Sequence, residues 1–309
     1  MRTLYFLALL CFTLVASACT QTDSKGTMAS GQRMKVLTTT SILKDAVAHI
    51  VGDAAEVESV MGSGVDPHLY KATQGDLQKL MEADVVVYNG LHLEGKMGEV
   101  LEKLSRQKTV VAATAGIPQE KLRKSPQFQD SQDPHVWFDV QLWQEVVKHV
   151  SQELQQKDPA NAEVYQQNTQ AYLQELSELH GWVAQQIQAI PEQQRILITA
   201  HDAFGYFGDA YGIKVRGLQG ISTVSEFGLQ DVSSLVKYIV ENKIKAVFVE
   251  SSVSPKAIEA VVVGSRERGH DVKIGGTLYS DALGEEGTPE GTYTGMVRHN
   301  VNSMVLALK

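Results

Sequence analysis

The sequence predicts an α/β protein of two lobes, each carrying a mostly parallel sheet flanked by helices, with one long helix between them. Three observations lead there. Strand-like and helix-like segments alternate from Met34 to about residue 116, the pattern of a parallel sheet covered on both faces. After Pro159 the chain meets no Gly until Gly181 and no further Pro until Pro191. Beyond Pro191 the strand–helix alternation resumes.

Taken in order, "MKVLTTTS" reads as a strand and "ILKDAVAHIVG" as a helix closed by Gly52. "DLQKLMEA" is helix, "DVVVYNG" strand, "KMGEVLEKLSRQ" helix and "TVVAATAG" strand. Asp158 is placed to cap a helix with Pro159 in its first position. Leu176, Leu179, Val183, Ile187 and Ile190 then recur at spacings of three and four, a helical stripe. Unbroken, that helix spans roughly 45 Å. Two helices broken near Gly181 are the alternative, since glycine inside a helix costs only about 1 kcal/mol. "RILITA" is strand, "AFGYFGDAYG" a short helix, "VSSLVKYIVENK" helix and "IKAVFVES" strand. "SPKAIEAVVVGSRERG" is a helix with Ser254 as cap, Pro255 first and Gly269 at its end. "VKIGGTLY" is strand, and a helix from Thr292 closes the chain.

The start, "MRTLYFLALLCFTLVASAC", has the layout of a secretory signal. "ASAC" also resembles a bacterial lipoprotein box, which makes Cys19 the lipid-bearing residue after cleavage. Removing residues 1–18 takes away Cys11 and leaves Cys19 as the one cysteine, so no internal disulfide is expected. Stability must then come from a large core, which 43% hydrophobic residues can supply. The polar stretch "TQTDSKGTMASGQR" reads as a tether. The expected layout is a signal over 1–18, a tether over 19–33, an N-terminal α/β lobe over 34–157, a connecting helix over 158–190 and a C-terminal α/β lobe over 191–309. A net charge of -8 over 309 residues argues against nucleic acid as a partner.

Chemistry is expected at the carboxyl ends of the strands, where ligands of open α/β sheets collect. His68 and His135 lie in loops of the first lobe, each in an Asp-Pro-His tripeptide: "VDPHLYKA" and "QDPHVWFD". His201 directly follows "RILITA", and Asp281 directly follows "GGTLYS". One cleft between the lobes can collect all four. Three neutral imidazoles and a carboxylate suit a divalent transition metal. The proline fixes its own φ and pushes the preceding Asp toward extended backbone, so each histidine is held at a defined angle. Asp66 and Asp133 are placed to add supporting hydrogen bonds. Spacing alone leaves two readings open: a metal site, and ordinary solvated loop histidines.

"GVDPHLYKATQGDLQKLMEADVVVYNGLHLEGKM", "DPHVWFDV", "TAHDAFGYF" and "LYSDALG" together resemble the TroA-like family, the metal-binding solute-binding proteins of bacterial zinc and manganese ABC importers. The resemblance runs from about Met34 to the C-terminus. It implies two α/β lobes, a rigid connecting helix and one metal ion in the interlobe cleft, held by His68, His135, His201 and Asp281. It also implies delivery of that ion to an ABC permease and its ATPase on separate chains. The protein itself is then a monomer outside the cytoplasm, periplasmic or at the cell surface and lipid-anchored to a membrane. It is not an enzyme. Members resembling manganese or iron importers often carry Glu in the place of His201, whereas a third His resembles the zinc and the zinc/manganese-ambivalent branches. The long His-rich loop common in zinc importers is replaced by "IPQEKLRKSPQFQDSQD", which has no His. Zinc and manganese both stay open.

Other features compete. "GLHLEGKM" has the spacing of a phosphate-binding loop, but Met97 stands where Ser or Thr is needed and Glu94 repels phosphate; a strand-to-helix turn is expected. His92 is a rival ligand or part of the cleft wall. Glu250, at a strand end, lines the cleft or approaches the metal, and Glu226 makes a loop contact. His49, His149, His180, His270 and His299 are expected on the surface. Two other functions use the same site: an exported zinc-dependent hydrolase with Glu250 as general base, and a surface adhesin with a structural metal.

Overall fold

The computed structural model describes residues 33–125, 131–225 and 227–309. The signal segment, Cys19, all of the tether but Arg33, and Glu226 lie outside the described residues. Among the described residues, no helix is long and apolar enough to cross a membrane.

The first lobe runs β1 (Met34–Thr38), α1 (Ser41–Val51), β2 (Ala55–Ser59), α2 (Gln74–Glu82), β3 (Val85–Tyr88), α3 (Gly98–Ser105), β4 (Thr109–Ala112) and α4 (Val140–Lys157). Its sheet has the order β2–β1–β3–β4, all parallel. β1 and β3 sit in the middle, and Val85, Val86 and Val87 are buried on both faces, as a covered parallel strand requires. β2 was not anticipated. Its sequence AEVES exposes both Glu56 and Glu58, the charged signature of an edge strand. Thr40 caps α1 by accepting from Leu43 N. Gly52 ends it with φ +52°, a backbone that glycine adopts freely.

The long helix is α5 (Ala162–Gln188), about 40 Å from end to end. It starts later than expected, because Pro159–Asn161 form one 3-10 turn first. Asp158 does not cap it with its side chain. Its carboxylate instead accepts from Tyr165 Oη and Asn161 Nδ2, both at 2.7 Å. The helix runs unbroken through Gly181, so the two-helix alternative is not what forms.

The second lobe runs β5 (Ile196–His201), α6 (Gly205–Tyr211), β6 (Lys214–Gln219), α7 (Leu229–Glu241), β7 (Ala246–Glu250), α8 (Lys256–Glu267), β8 (Lys273–Leu278) and α9 (Tyr293–Leu308). β5 pairs with β6 and β7 with β8, both in parallel, and β5 lies alongside β7. Ser254 is not the cap of α8. Pro255 precedes its first residue, and no side chain caps that end. Thr292 does cap α9, accepting from Gly295 N.

One apolar core runs through both lobes. Tyr172, Leu176, Leu179, Val183 and Ile187 of α5 pack into it together with Val36 of β1, Trp143 of α4 and Met296 of α9. The Trp143 and Tyr293 rings stack across the lobes at 5.4 Å. A shared apolar interface of this kind resists free domain motion. Gly181 is exposed, and a Cβ added there meets nothing within 4 Å. Gly181→Ala is therefore expected to stabilise the protein by about 0.5–1 kcal/mol, read as a higher denaturant midpoint. A lower midpoint would mean that the helix needs its glycine.

Candidate metal centre

The four residues singled out at strand ends meet in space. His201 is the last residue of β5, and Asp281 lies three residues beyond β8. His68 comes from the loop after β2, and His135 from the segment just before a 3-10 turn over Val136–Phe138. All four are buried. One donor atom from each lies within 4.8 Å of the others. His68 Nε2 is 3.3 Å from His135 Nε2. His135 Nε2 is 3.5 Å from Asp281 Oδ1, and His201 Nε2 is 3.5 Å from Asp281 Oδ2. Ligands at about 2.0–2.1 Å around a tetrahedral ion stand about 3.3–3.4 Å apart. Those three pairs stand close to that spacing, and all four donors lie within 4.8 Å of one another.

The Asp-Pro-His repeat is one device used twice. Asp66 Oδ1 accepts from His68 N at 2.8 Å, and Asp133 Oδ1 accepts from His135 N at 3.0 Å. The proline between them has no N–H to compete. Beyond this the two copies diverge. Asp133 Oδ1 also accepts from His135 Nδ1 at 2.7 Å, which leaves Nε2 turned to the centre. Asp66 spends its second oxygen on Thr223 Oγ1, at 2.6 Å, across the cleft. Glu250 treats His201 as Asp133 treats His135. Its Oε1 accepts from His201 N at 2.8 Å, and its Oε2 lies 2.5 Å from His201 Nδ1.

Further bonds tie the lobes around the cage. Trp137 Nε1 donates to Ser280 O at 2.9 Å, and Tyr293 Oη donates to Trp137 O at 2.7 Å. The Trp137 ring stands edge-on to His135. Leu283 N donates to Ser41 Oγ at 3.0 Å.

Burial and charge set the protonation of the metal-free cage. Burial pushes the His68 imidazole down to about 3, despite the pull of Asp281. For His135 burial works against the charge, yet the carboxylates of Asp133 and Asp281 outweigh it and lift the ring to about 9. His201 is likewise held well above its usual range, with Glu250 and Asp281 overcoming burial. Burial opposes ionisation of Asp281 too, but His201 and His135 hold it well below the usual carboxylate range. Two buried atoms that face the centre, His201 Nε2 and Asp281 Oδ1, lack a well-formed hydrogen bond. Orphans of this kind are costly unless they have another partner, and a cation between them is such a partner.

The competing features resolve differently. Glu250 does not join the donor cluster. Its Oε1 accepts from His201 N, and its Oε2 faces His201 Nδ1. Glu94 is buried and accepts from Asn89 N, Gly90 N and Thr39 Oγ1. Its carboxylate fills the loop a phosphate would enter, so "GLHLEGKM" is a turn. His92 is exposed, with φ +64°, and lines a separate surface pocket with Tyr88 and Glu102. The five histidines expected on the surface are half-buried joints instead. His49 stacks on Tyr172 at 4.1 Å. His180 meets Tyr211 Oη, His270 meets Ile244 O, and His299 meets Thr277 O. His149 packs against Gly116 so closely that a Cβ there would collide with it. Thr223 and Ser252, whose hydroxyls reach Asp66 and Asp281, escaped notice, because a lone serine or threonine near a strand end carries no sequence signal.

Comparison with known proteins agrees with this geometry. Residues 36–307 match the family model for the periplasmic zinc-uptake complex component A, ZnuA. The chain is 52% identical to the manganese-binding lipoprotein MntA of Bacillus subtilis (strain 168), over 93% of this chain and 94% of that protein. It is 47% identical to the zinc-binding protein TroA of Treponema pallidum (strain Nichols), over 92% of each. The solved structure of the periplasmic zinc-binding protein TroA from Treponema pallidum matches with a TM-score of 0.88 at 46% identity, covering 90% of this chain and 99% of that one. The fold, the strand-end donors and the near full-length matches agree that this chain belongs to the ZnuA family.

Proposed function

We propose that this protein captures one divalent transition-metal ion, zinc or manganese, outside the cytoplasm and delivers it to a membrane permease powered by an ATPase, both on separate chains. The observation that carries the reading is the buried cage of His68, His135, His201 and Asp281, with ligand-ligand spacings near those of a four-coordinate ion. Nε2 of His135 and His201 is turned inward by a carboxylate behind each ring, which orients the ring and raises its basicity. The ion is cargo: four protein donors leave little room for the water that a catalytic zinc keeps. The family model's uptake complex supports transport partners, and the lipoprotein relative supports Cys19 as the lipid-bearing residue. The protein acts as a monomer. The relatives named above bind manganese in one case and zinc in the other, so ancestry does not select the ion.

The test is elemental analysis of the full chain purified without added metal, followed by reloading with zinc and manganese in competition. One equivalent per chain is expected, and the competition identifies the preferred ion. A chain that carries no metal and takes up neither ion would end the capture reading and leave the family likeness as one of fold.

A further inference from the structure

We infer that the Ser252 hydroxyl decides how many oxygens Asp281 offers to the captured ion, and so sets the preference between zinc and manganese. The inference rests on the capture reading above. Asp281 presents its two oxygens evenly: Oδ1 is 3.5 Å from His135 Nε2 and Oδ2 is 3.5 Å from His201 Nε2. Nothing in those two contacts separates a one-oxygen from a two-oxygen ligand.

The difference lies behind the carboxylate. Oδ1 has no well-formed hydrogen bond, whereas Oδ2 lies 3.2 Å from Ser252 Oγ. Ser252 Oγ is also 2.9 Å from Ser280 Oγ. A serine has one proton to give, and a carboxylate is the stronger acceptor. Ser252 therefore donates to Oδ2, and Ser280 donates to Ser252. With Oδ2 engaged, Oδ1 is the oxygen left for the ion. Three imidazole nitrogens and one oxygen make the four-coordinate set that zinc prefers. Without the hydroxyl both oxygens are free and the set grows to five, with more oxygen character, which favours manganese. Ser252 lies two residues past Glu250, so the end of β7 carries both the group that orients His201 and the group that engages Asp281.

The test compares the full chain with Ser252→Ala and Ser252→Thr. Zinc and manganese are titrated separately to give the ratio of their affinities. Cobalt(II) is then bound as a coordination probe, because four-coordinate cobalt absorbs visible light more strongly than higher-coordinate cobalt. Ser252→Ala is expected to lower the zinc-to-manganese ratio by about tenfold, the scale for losing a partner of a metal ligand, and to weaken the cobalt band. Ser252→Thr keeps the hydroxyl and should retain both values. An unchanged ratio and band in the alanine variant, or a threonine variant that behaves like alanine, overturns the inference. If Ser252→Ala does not fold, Ser280→Ala removes only the donor behind Ser252, and a smaller fall in the same direction is expected; no change there overturns it equally. A parent chain that binds no metal defeats the capture reading itself, whereas one that binds an ion with a ratio insensitive to Ser252 defeats this inference alone.

Discussion

A chain carrying His68→Ala and His201→Ala together is expected to retain less than about a tenth of an equivalent of metal where the parent holds one. Loss of one outer partner of a ligand costs about 10–100-fold in metal affinity, and loss of two ligands, one from each lobe, costs more. The two positions differ in what they leave behind. His201 is a charged ring between Glu250 and Asp281. Its removal strands two buried carboxylates, and breaking a buried pair in this way costs about 3–5 kcal/mol. His68 is neutral in the metal-free cage, with its imidazole pushed down to about 3. Taking it away strands no charge. The single His68→Ala variant should therefore lose metal affinity while its metal-free thermal midpoint stays near that of the parent. Elemental analysis beside a melting curve separates the two effects. Full metal retention in the double variant would place the ion elsewhere.

What the sequence disclosed follows a physical line. The buried central strands and the long helix were legible because burial on both faces demands apolar runs and a helix buried along one stripe demands a 3.6-residue period. β2 was not, because an edge strand with Glu56 and Glu58 carries half the apolar signal. The cage residues were legible because backbone topology alone brings strand ends together. The roles behind them were hidden. Asp66 and Asp133 stand in identical tripeptides, yet only Asp133 reaches its histidine's ring. That choice is made by χ angles and by neighbours such as Thr223, distant in sequence. Glu250 was noticed for its strand end and expected to line the cleft or approach the metal, but β5 and β7 lie side by side and aim it at His201. The five half-buried histidines show the reverse error. A polar ring in a helical context looks like surface, while one hydrogen bond or a stacked tyrosine is enough to let it pack.

Metal affinity should rise about a hundredfold for each pH unit between about pH 5 and 8. Below about pH 9 the His135 ring is protonated in the metal-free cage, and His201, held well above its usual range, is protonated with it. Asp281 is ionised, and His68 is already neutral down to about pH 3. A divalent ion that binds both inward nitrogens must expel two protons, so two positive charges leave as two arrive. Each expelled proton contributes a factor of about ten per pH unit. Three unperturbed histidines near pKa 6.5 would behave otherwise, with almost no slope above pH 7.5 and a slope approaching three well below pH 6. Dissociation constants measured against a chelator of known pH dependence distinguish the two. A slope of one would leave a single charged ring, and a slope near zero would remove the proton exchange altogether. Stability of the metal-free chain supplies an independent check. The folded pKa of His135 lies above its unfolded value, so its contribution is fully present below about pH 6.5 and is lost as pH rises through about 9. His201 acts in the same direction. The metal-free melting temperature should therefore fall across that window, and the increment gained on adding metal should grow. A metal-free midpoint that climbs from pH 6.5 to 9 would mean the rings are neutral before the ion arrives, and the two-proton slope would fall with it.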